Sequence, residues 1–152
     1  MNDHLRVVIS GIFLAAIQHP NSVVEVSAGI FYDEDIVLCF RKSKAKYDYL
    51  SYKFEFPGGK LESGESPKEA LVRELDEELS LSVDSLEFLG TVDHSYPDFD
   101  VRLHFFLIPY SGIEPTLKEH TAADWIPIDK LDSIDWAEAD RLILPELRDR
   151  LA

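Results

Sequence analysis

Three glutamates carry the first chemical signal in the chain. Glu74, Glu77 and Glu78 stand at i, i+3 and i+4, so on a helix their carboxylates project from one side. Arg73 precedes them, and Glu65 lies just ahead of the segment that carries them. Carboxylates this close repel one another unless a cation sits among them. Oxygen-only ligands call for a hard ion, so magnesium or manganese suits the group better than zinc. The same spacing also suits a solvated acidic face, with Arg73 and Lys68 as local ion-pair partners.

The element that must hold these carboxylates has clear local signals. Ser66-Pro67-Lys68-Glu69 reads as a capping box, with proline at the first helical position. Leu71, Leu75 and Leu79 follow at a spacing of four and predict a buried stripe. Upstream, Val23 to Tyr32 and Asp35 to Arg41 are apolar, β-branched runs with a two-residue turn expected at Asp33-Glu34. Lys42 to Tyr52 is lysine-rich with three tyrosines and reads as an exposed loop. Phe54-Glu55-Phe56 is a brief extended stretch stopped by Pro57-Gly58-Gly59.

Downstream, Leu86 to Val92 and Val101 to Ile108 read as strands joined through Ser95-Tyr96-Pro97-Asp98, and Thr121 to Ile128 is a short apolar piece. The tail from Ala137 to Leu151 is helical in composition, with Pro145 expected to kink it or start a new turn. Several strands with two unequal helices predict an α/β (α+β) fold, a mixed sheet covered on both faces.

Composition narrows the function classes. The chain has 152 residues, 45% of them hydrophobic, enough for one packed domain. Its formal charge of −14 repels nucleic-acid backbones and anionic lipid, so neither a nucleic-acid polymer nor a membrane is an expected partner. The one cysteine, Cys39, allows no internal disulfide. Val7 to Ile17 is too short for a bilayer-crossing helix of about 20 residues, and no small-residue cleavage pattern follows it. It reads as an extra strand or an ordered arm, and the expected location is the cytoplasm. The five histidines form no metal-ligand pair at i, i+4 and read as structural or exposed, with His120 beside Glu119.

From Gly59 the chain reads GKLESGESPKEALVRELDEELSL, which closely resembles the Nudix box, the signature of the Nudix hydrolase family. The preceding Phe54-Glu55-Phe56-Pro57-Gly58-Gly59-Lys60 looks like the MutT-type branch. One position departs: Ser80 stands where the family usually has a glycine, at a helix end expected to be left-handed. The resemblance extends more weakly from about Val26 to the C-terminus and implies one domain over residues 1–152. Its fold would be an α/β/α sandwich with a mixed sheet, and residues 1–21 an arm outside the match.

The resemblance also implies a Mg²⁺-dependent hydrolase, with Mn²⁺ as a substitute, acting on a small nucleotide as monomer or homodimer. Glu74, Glu77, Glu78 and the carbonyl of Gly58 would hold the metal, and Glu119 on a later loop matches a further acidic ligand. Glu65 would pair with Arg73, which would hold the loop–helix geometry. Lys60 would sit near the phosphates and Arg41 and Lys42 near the nucleotide; Phe99 and Tyr96 read either as a stacking surface for the base or as plain loop aromatics. Asp140 matches a base-reading position and also suits an N-cap for the last helix. Nucleoside triphosphates would be cleaved at the β-phosphorus to monophosphate and pyrophosphate, with Glu74 or Glu119 as general base. Oxidised or non-standard nucleotides such as 8-oxo-dGTP are one form of that substrate. The alternatives are ADP-ribose, nucleotide sugars or dinucleotide polyphosphates, and a nucleotide-binding module without turnover.

Overall fold

The computed structural model describes residues 23–152 and, ahead of them, only the backbone of two short pairing strands, β1 (Val8–Ile9) and β2 (Ile12–Phe13). The rest of the expected N-terminal arm lies outside the described residues.

The centre of the molecule is β3 (Val23–Asp33), buried on both faces from Ser27 to Phe31. A strand covered on both sides carries apolar residues almost continuously rather than in alternation. On one edge it pairs in parallel with β8 (Asp100–Pro109), from Val23↔Asp100 to Tyr32↔Pro109, and β8 pairs antiparallel with β7 (Glu87–Ser95).

The other edge of β3 divides. It joins β4 (Ile36–Lys42) only at Tyr32↔Val37 and Asp33↔Ile36, and then the two strands part. The hairpin turn is Glu34-Asp35, one residue later than the expected Asp33-Glu34, and Glu34 takes a positive φ of 54° there. The gap between the strands is crossed by β5 (Phe54–Glu55), which pairs with β4, and β6 (Gly58–Lys60), which pairs with β3. The expected apolar piece at 121–128 is a full strand, β9 (His120–Pro127), along the outer edge of β4.

Helices cover both faces of this mixed sheet. The helix α1 (Pro67–Leu79) carries the predicted capping box, with Ser66 accepting from Glu69 N–H and Glu69 accepting from Ser66 N–H. Leu71, Leu75 and Leu79 are fully buried against Phe31, Leu38, Phe40, Phe106 and Ile108. Each such leucine contributes about 1.5–3 kcal/mol of transfer free energy, so this stripe holds the carboxylate helix in place.

Against the opposite face pack α2 (Glu138–Arg141) and α3 (Leu144–Leu151), with Leu131, Trp136, Ile143 and Leu147 buried on Ile30, Val37 and Phe105. Pro145 lies in the first turn of α3, where its missing N–H costs nothing. Asp140 sits inside α2 and starts no helix, so it is not the N-cap that its position near the final helix suggests. The loop tyrosines are also placed differently from a free exposed loop. Tyr47 and Tyr49 are half-buried and stacked on each other at 5.4 Å, with only Tyr52 exposed.

Candidate active site

The divergence of β3 from β4 opens a cleft of about 680 Å³. One end is lined by Val26, Gly58, Gly59, Lys60 and Glu78, the other by Tyr96, Phe99 and Asp140, with Glu55, Lys42 and Lys46 along its length.

Arg73 organises the first end. Its Nε and Nη2 donate to both oxygens of Glu65 at 2.7 and 2.9 Å, a two-pronged pairing. Nη1 donates to Glu74 Oε1 at 2.8 Å and Glu77 Oε2 at 3.2 Å, and Nη2 also donates to the Lys60 carbonyl at 3.0 Å. The guanidinium, helped by the Glu62 N–H, holds the Glu65 carboxyl down at about 2. One cation thus joins the loop at 60–65 to the helix. A Cβ at Gly59 would stand 2.3 Å from the Glu74 carboxyl carbon, so a side chain there would displace that carboxylate. At Gly58 a Cβ would meet the Ser27 carbonyl oxygen at 1.8 Å.

Glu78 is a half-buried member of the carboxylate group. Burial raises its pKa, then the facing Glu119 carboxyl, then Glu74 and Glu55. Its Oε2 is enclosed without a hydrogen-bond donor. A buried carboxylate oxygen among like charges, in an all-oxygen donor set, fits a hard divalent cation. Among the described residues no three acidic, histidine or cysteine side chains are already drawn into a cation-holding cluster; Arg73 draws Glu74 and Glu77 to itself. Glu119 reaches this end because its loop is docked on the C-terminal end of α1. Thr116 N–H donates to the Leu79 carbonyl at 2.8 Å, and Lys118 Nζ to the Glu77 carbonyl at 2.9 Å.

Ser80 ends that helix in the left-handed conformation expected for the departing box position, φ 56° and ψ 38°. Ser80 N–H donates to Asp76 O and Leu81 N–H to Leu75 O, which satisfies the last carbonyls and buries Leu81 beside Leu75.

At the other end Asp140, 6% exposed, accepts the Phe56 N–H through Oδ2 at 2.9 Å. Burial raises its carboxyl well above the usual range, and the Glu55 charge adds to the effect. Tyr96 accepts the Ala139 N–H at 2.9 Å, stacks on Tyr49 and meets Phe99 at a tilt, and Tyr47 stacks on Phe99 at 5.7 Å. Tyr49 O–H donates to Asp98 at 2.9 Å, so the lysine-rich loop is tied across to the β7–β8 turn.

The structure therefore brings Gly58, Lys60, Lys42, Glu78, Phe99 and Asp140 to one cleft, with Glu119 against Glu78 and Glu65, Arg73, Glu74 and Glu77 linked beside Lys60. Arg41 is not brought there. Its guanidinium lies over the Tyr52 ring at 5.8 Å and donates to the Tyr52 carbonyl.

Glu55, Tyr47 and Lys46 line the cleft and were not singled out from sequence. The signal for Glu55 was a lone charge between Phe54 and Phe56, which strand alternation points away from both aromatic rings. Cys39 takes no part: burial, with the Asp124 charge adding, pushes its thiol up to about 12, far from a reactive thiolate.

Comparison with known proteins agrees with this geometry. The NUDIX domain matches residues 23–147. The 8-oxo-dGTP diphosphatase of Escherichia coli (strain K12) is 30% identical over 125 residues, covering 82% of this chain and 96% of that protein. The CTP pyrophosphohydrolase of the same strain is 31% identical over 119 residues, covering 78% of this chain and 86% of that one. The crystal structure of a MutT Nudix hydrolase from Burkholderia pseudomallei superposes with a TM-score of 0.70 at 21% identity, over 82% of this chain and 97% of that one. The chain belongs to the Nudix family. Within it the protein is a MutT-like hydrolase, a pyrophosphohydrolase.

Proposed function

We propose that this enzyme hydrolyses nucleoside triphosphates to nucleoside monophosphate and pyrophosphate, including oxidised or otherwise non-standard ones such as 8-oxo-dGTP. The observation that carries the reading is the two-ended cleft, with half-buried Glu78 and Lys60 at one end and Asp140 with an aromatic wall at the other. A triphosphate and a base need those two environments within one nucleotide's reach. The 8-oxo-dGTP diphosphatase among its relatives supports the same substrate class.

Glu74, Glu77, Glu78, Glu119 and the Gly58 carbonyl would hold Mg²⁺ or Mn²⁺. Bound there, the metal supplies charge neutralisation at the phosphates and a more acidic water. The rest falls to the chain itself. Arg73 keeps Glu74 and Glu77 in register with the loop at 60–65, and Lys60 and Lys42 offset phosphate charge along the cleft. Glu74 gives Oε1 to Arg73, whereas Glu119 is exposed beside Glu78. We therefore assign Glu119 as the base that takes the water proton on a carboxylate oxygen. Tyr96 and Phe99 offer the base a flat apolar surface, and Asp140 offers its carboxyl to the base edge.

A second reading, preference for cytidine triphosphates, has its own observation. Asp140 favours its neutral form, and a neutral carboxyl offers one donor and one acceptor, the complement of the cytosine N3 and N4 edge. The CTP pyrophosphohydrolase relative agrees with it. We take residues 1–152 as one domain acting in the cytoplasm, with 1–21 as a non-catalytic arm. A monomer or homodimer is the expected assembly. Among the described residues no helix is long and apolar enough to cross a membrane.

A Mg²⁺-dependent panel resolving monophosphate, diphosphate, pyrophosphate and phosphate tests both readings. It would include dGTP, 8-oxo-dGTP, CTP, dCTP, ADP-ribose and a diadenosine polyphosphate. Pyrophosphate plus monophosphate from a triphosphate is the expected result, and the ranking of bases separates the two readings. Turnover of ADP-ribose or the dinucleotide alone would overturn the triphosphate assignment.

A further inference from the structure

We propose that His120 is a positioning residue, whose ring N–H fixes the Glu55 carboxylate as a hydrogen-bond acceptor for the nucleoside end of the substrate. The proposal rests on the nucleotide reading above and adds to it a residue pair outside the Nudix box.

The geometry begins with a bulge. Where β4 meets β9, the register shifts after Arg41↔Ala122: Thr121 is passed over and His120 faces Lys42 instead of Ser43. Bulges re-aim side chains and are common beside active sites. Here Lys42 lines the cleft, while Arg41 turns away to Tyr52. The His120 side chain is 2% exposed, and its ring packs on Phe40 at 5.2 Å. Its Nε2 lies 2.9 Å from Glu55 Oε2, and Lys42 Nζ stands 3.9 Å from the same oxygen. An ionised carboxylate only accepts, so Nε2 carries the proton in this pair.

The other ring nitrogen, Nδ1, is buried without a hydrogen-bond partner. Burying an imidazole with one nitrogen unsatisfied costs free energy. An apolar side chain packed on Phe40 would avoid that cost, so the ring is explained by what its other nitrogen holds. What it holds lines the cleft between the two ends: Glu55 pairs with Phe40 in β5 and precedes Phe56, whose N–H Asp140 grips. A fixed negative acceptor cannot bind phosphate. The substrate groups it suits are donors: an exocyclic amine, a ring N–H or a ribose hydroxyl.

The test uses the full chain, with CMP and dGMP as nucleoside probes and inorganic pyrophosphate as the phosphate probe. Binding would be followed by calorimetry and by nitrogen-15 NMR of the histidine rings, with His120 assigned from its loss in His120→Gln. His120→Leu is expected to weaken the better-binding monophosphate about tenfold, the loss of one hydrogen bond to a charged group, and to spare pyrophosphate. His120→Gln, whose amide nitrogen reaches the same place, should recover most of that loss. In turnover, the His120→Leu defect should fall on KM more than on kcat. In the wild type, the monophosphate should move the His120 Nε2 resonance and pyrophosphate should not, a readout that survives if His120→Leu does not fold. Equal weakening of nucleotide and pyrophosphate, failure of His120→Gln to rescue, or an Nε2 resonance indifferent to the monophosphate would each overturn the proposal. Wild type that binds neither monophosphate would overturn the nucleotide reading instead.

Discussion

Asp140 offers a test of the cleft in which stability and recognition separate. Its Oδ2 accepts the Phe56 N–H at 2.9 Å, and both residues are buried, at 6% and 3% exposure. Asp140→Ala removes the acceptor and leaves a buried N–H unpaired, which costs about 1–3 kcal/mol. In a chain of this length each kcal/mol moves the melting temperature by roughly 2–4 °C. Asp140→Ala should therefore melt several degrees lower. Asp140→Asn keeps an oxygen for Phe56 and should lose little.

The pH dependence has a definite sign. The folded-state pKa of Asp140 is raised above its ordinary 3.8, chiefly by burial and next by Glu55. Its contribution to stability is thus fully present below 3.8 and is lost as pH rises through the folded value. Asp140→Asn carries no such loss, so it should gain on the wild type between about pH 5 and about pH 9. Thermal unfolding by circular dichroism at both pH values, with kcat/KM for CTP and dGTP, measures both roles. If Asp140→Ala melts with the wild type, or Asp140→Asn falls as far as Asp140→Ala, the bond to Phe56 is not what Asp140 contributes.

Ser80→Gly should stabilise the fold by about 1 kcal/mol, because serine pays for the left-handed φ of 56° and glycine does not; a melting temperature unchanged or lowered would contradict this. Glu78→Gln should abolish hydrolysis while leaving the metal-free protein at least as stable above neutral pH, since it removes a half-buried carboxyl with a raised pKa from beside Glu119, Glu74 and Glu55. Retained turnover would refute the metal-site assignment. A chain starting at Ser22 should fold and keep turnover, and a folded but inactive truncation would give the arm a catalytic role.

The parts of this protein that could be read from its sequence are those set by neighbours along the chain. Ser66 and Glu69 cap each other across three residues, Leu71, Leu75 and Leu79 share a helix face, and Ser80 takes the left-handed turn that its place in the box requires. Arg73 also finds Glu65, Glu74 and Glu77 within this short segment. Such relations need only helix geometry and a short loop, so residue spacing predicts them.

The remaining features depend on strand register and on distant packing, which spacing does not encode. Asp140 meets Phe56 across 84 positions of sequence, Tyr49 meets Asp98 across 49, and His120 meets Glu55 across 65. Strand alternation turns Lys42, not its neighbour Arg41, to the cleft, and the extra residue Thr121 in β9 sets His120 opposite Lys42. The carboxylate helix follows from local rules, whereas the cleft beside it exists because β3 and β4 part after two residue pairs and the chain from Phe54 to Lys60 crosses between them. Where the strands part is set by β5 and β6, which take the backbone donors and acceptors that the facing edges of β4 and β3 would otherwise share, a balance that only the assembled sheet decides.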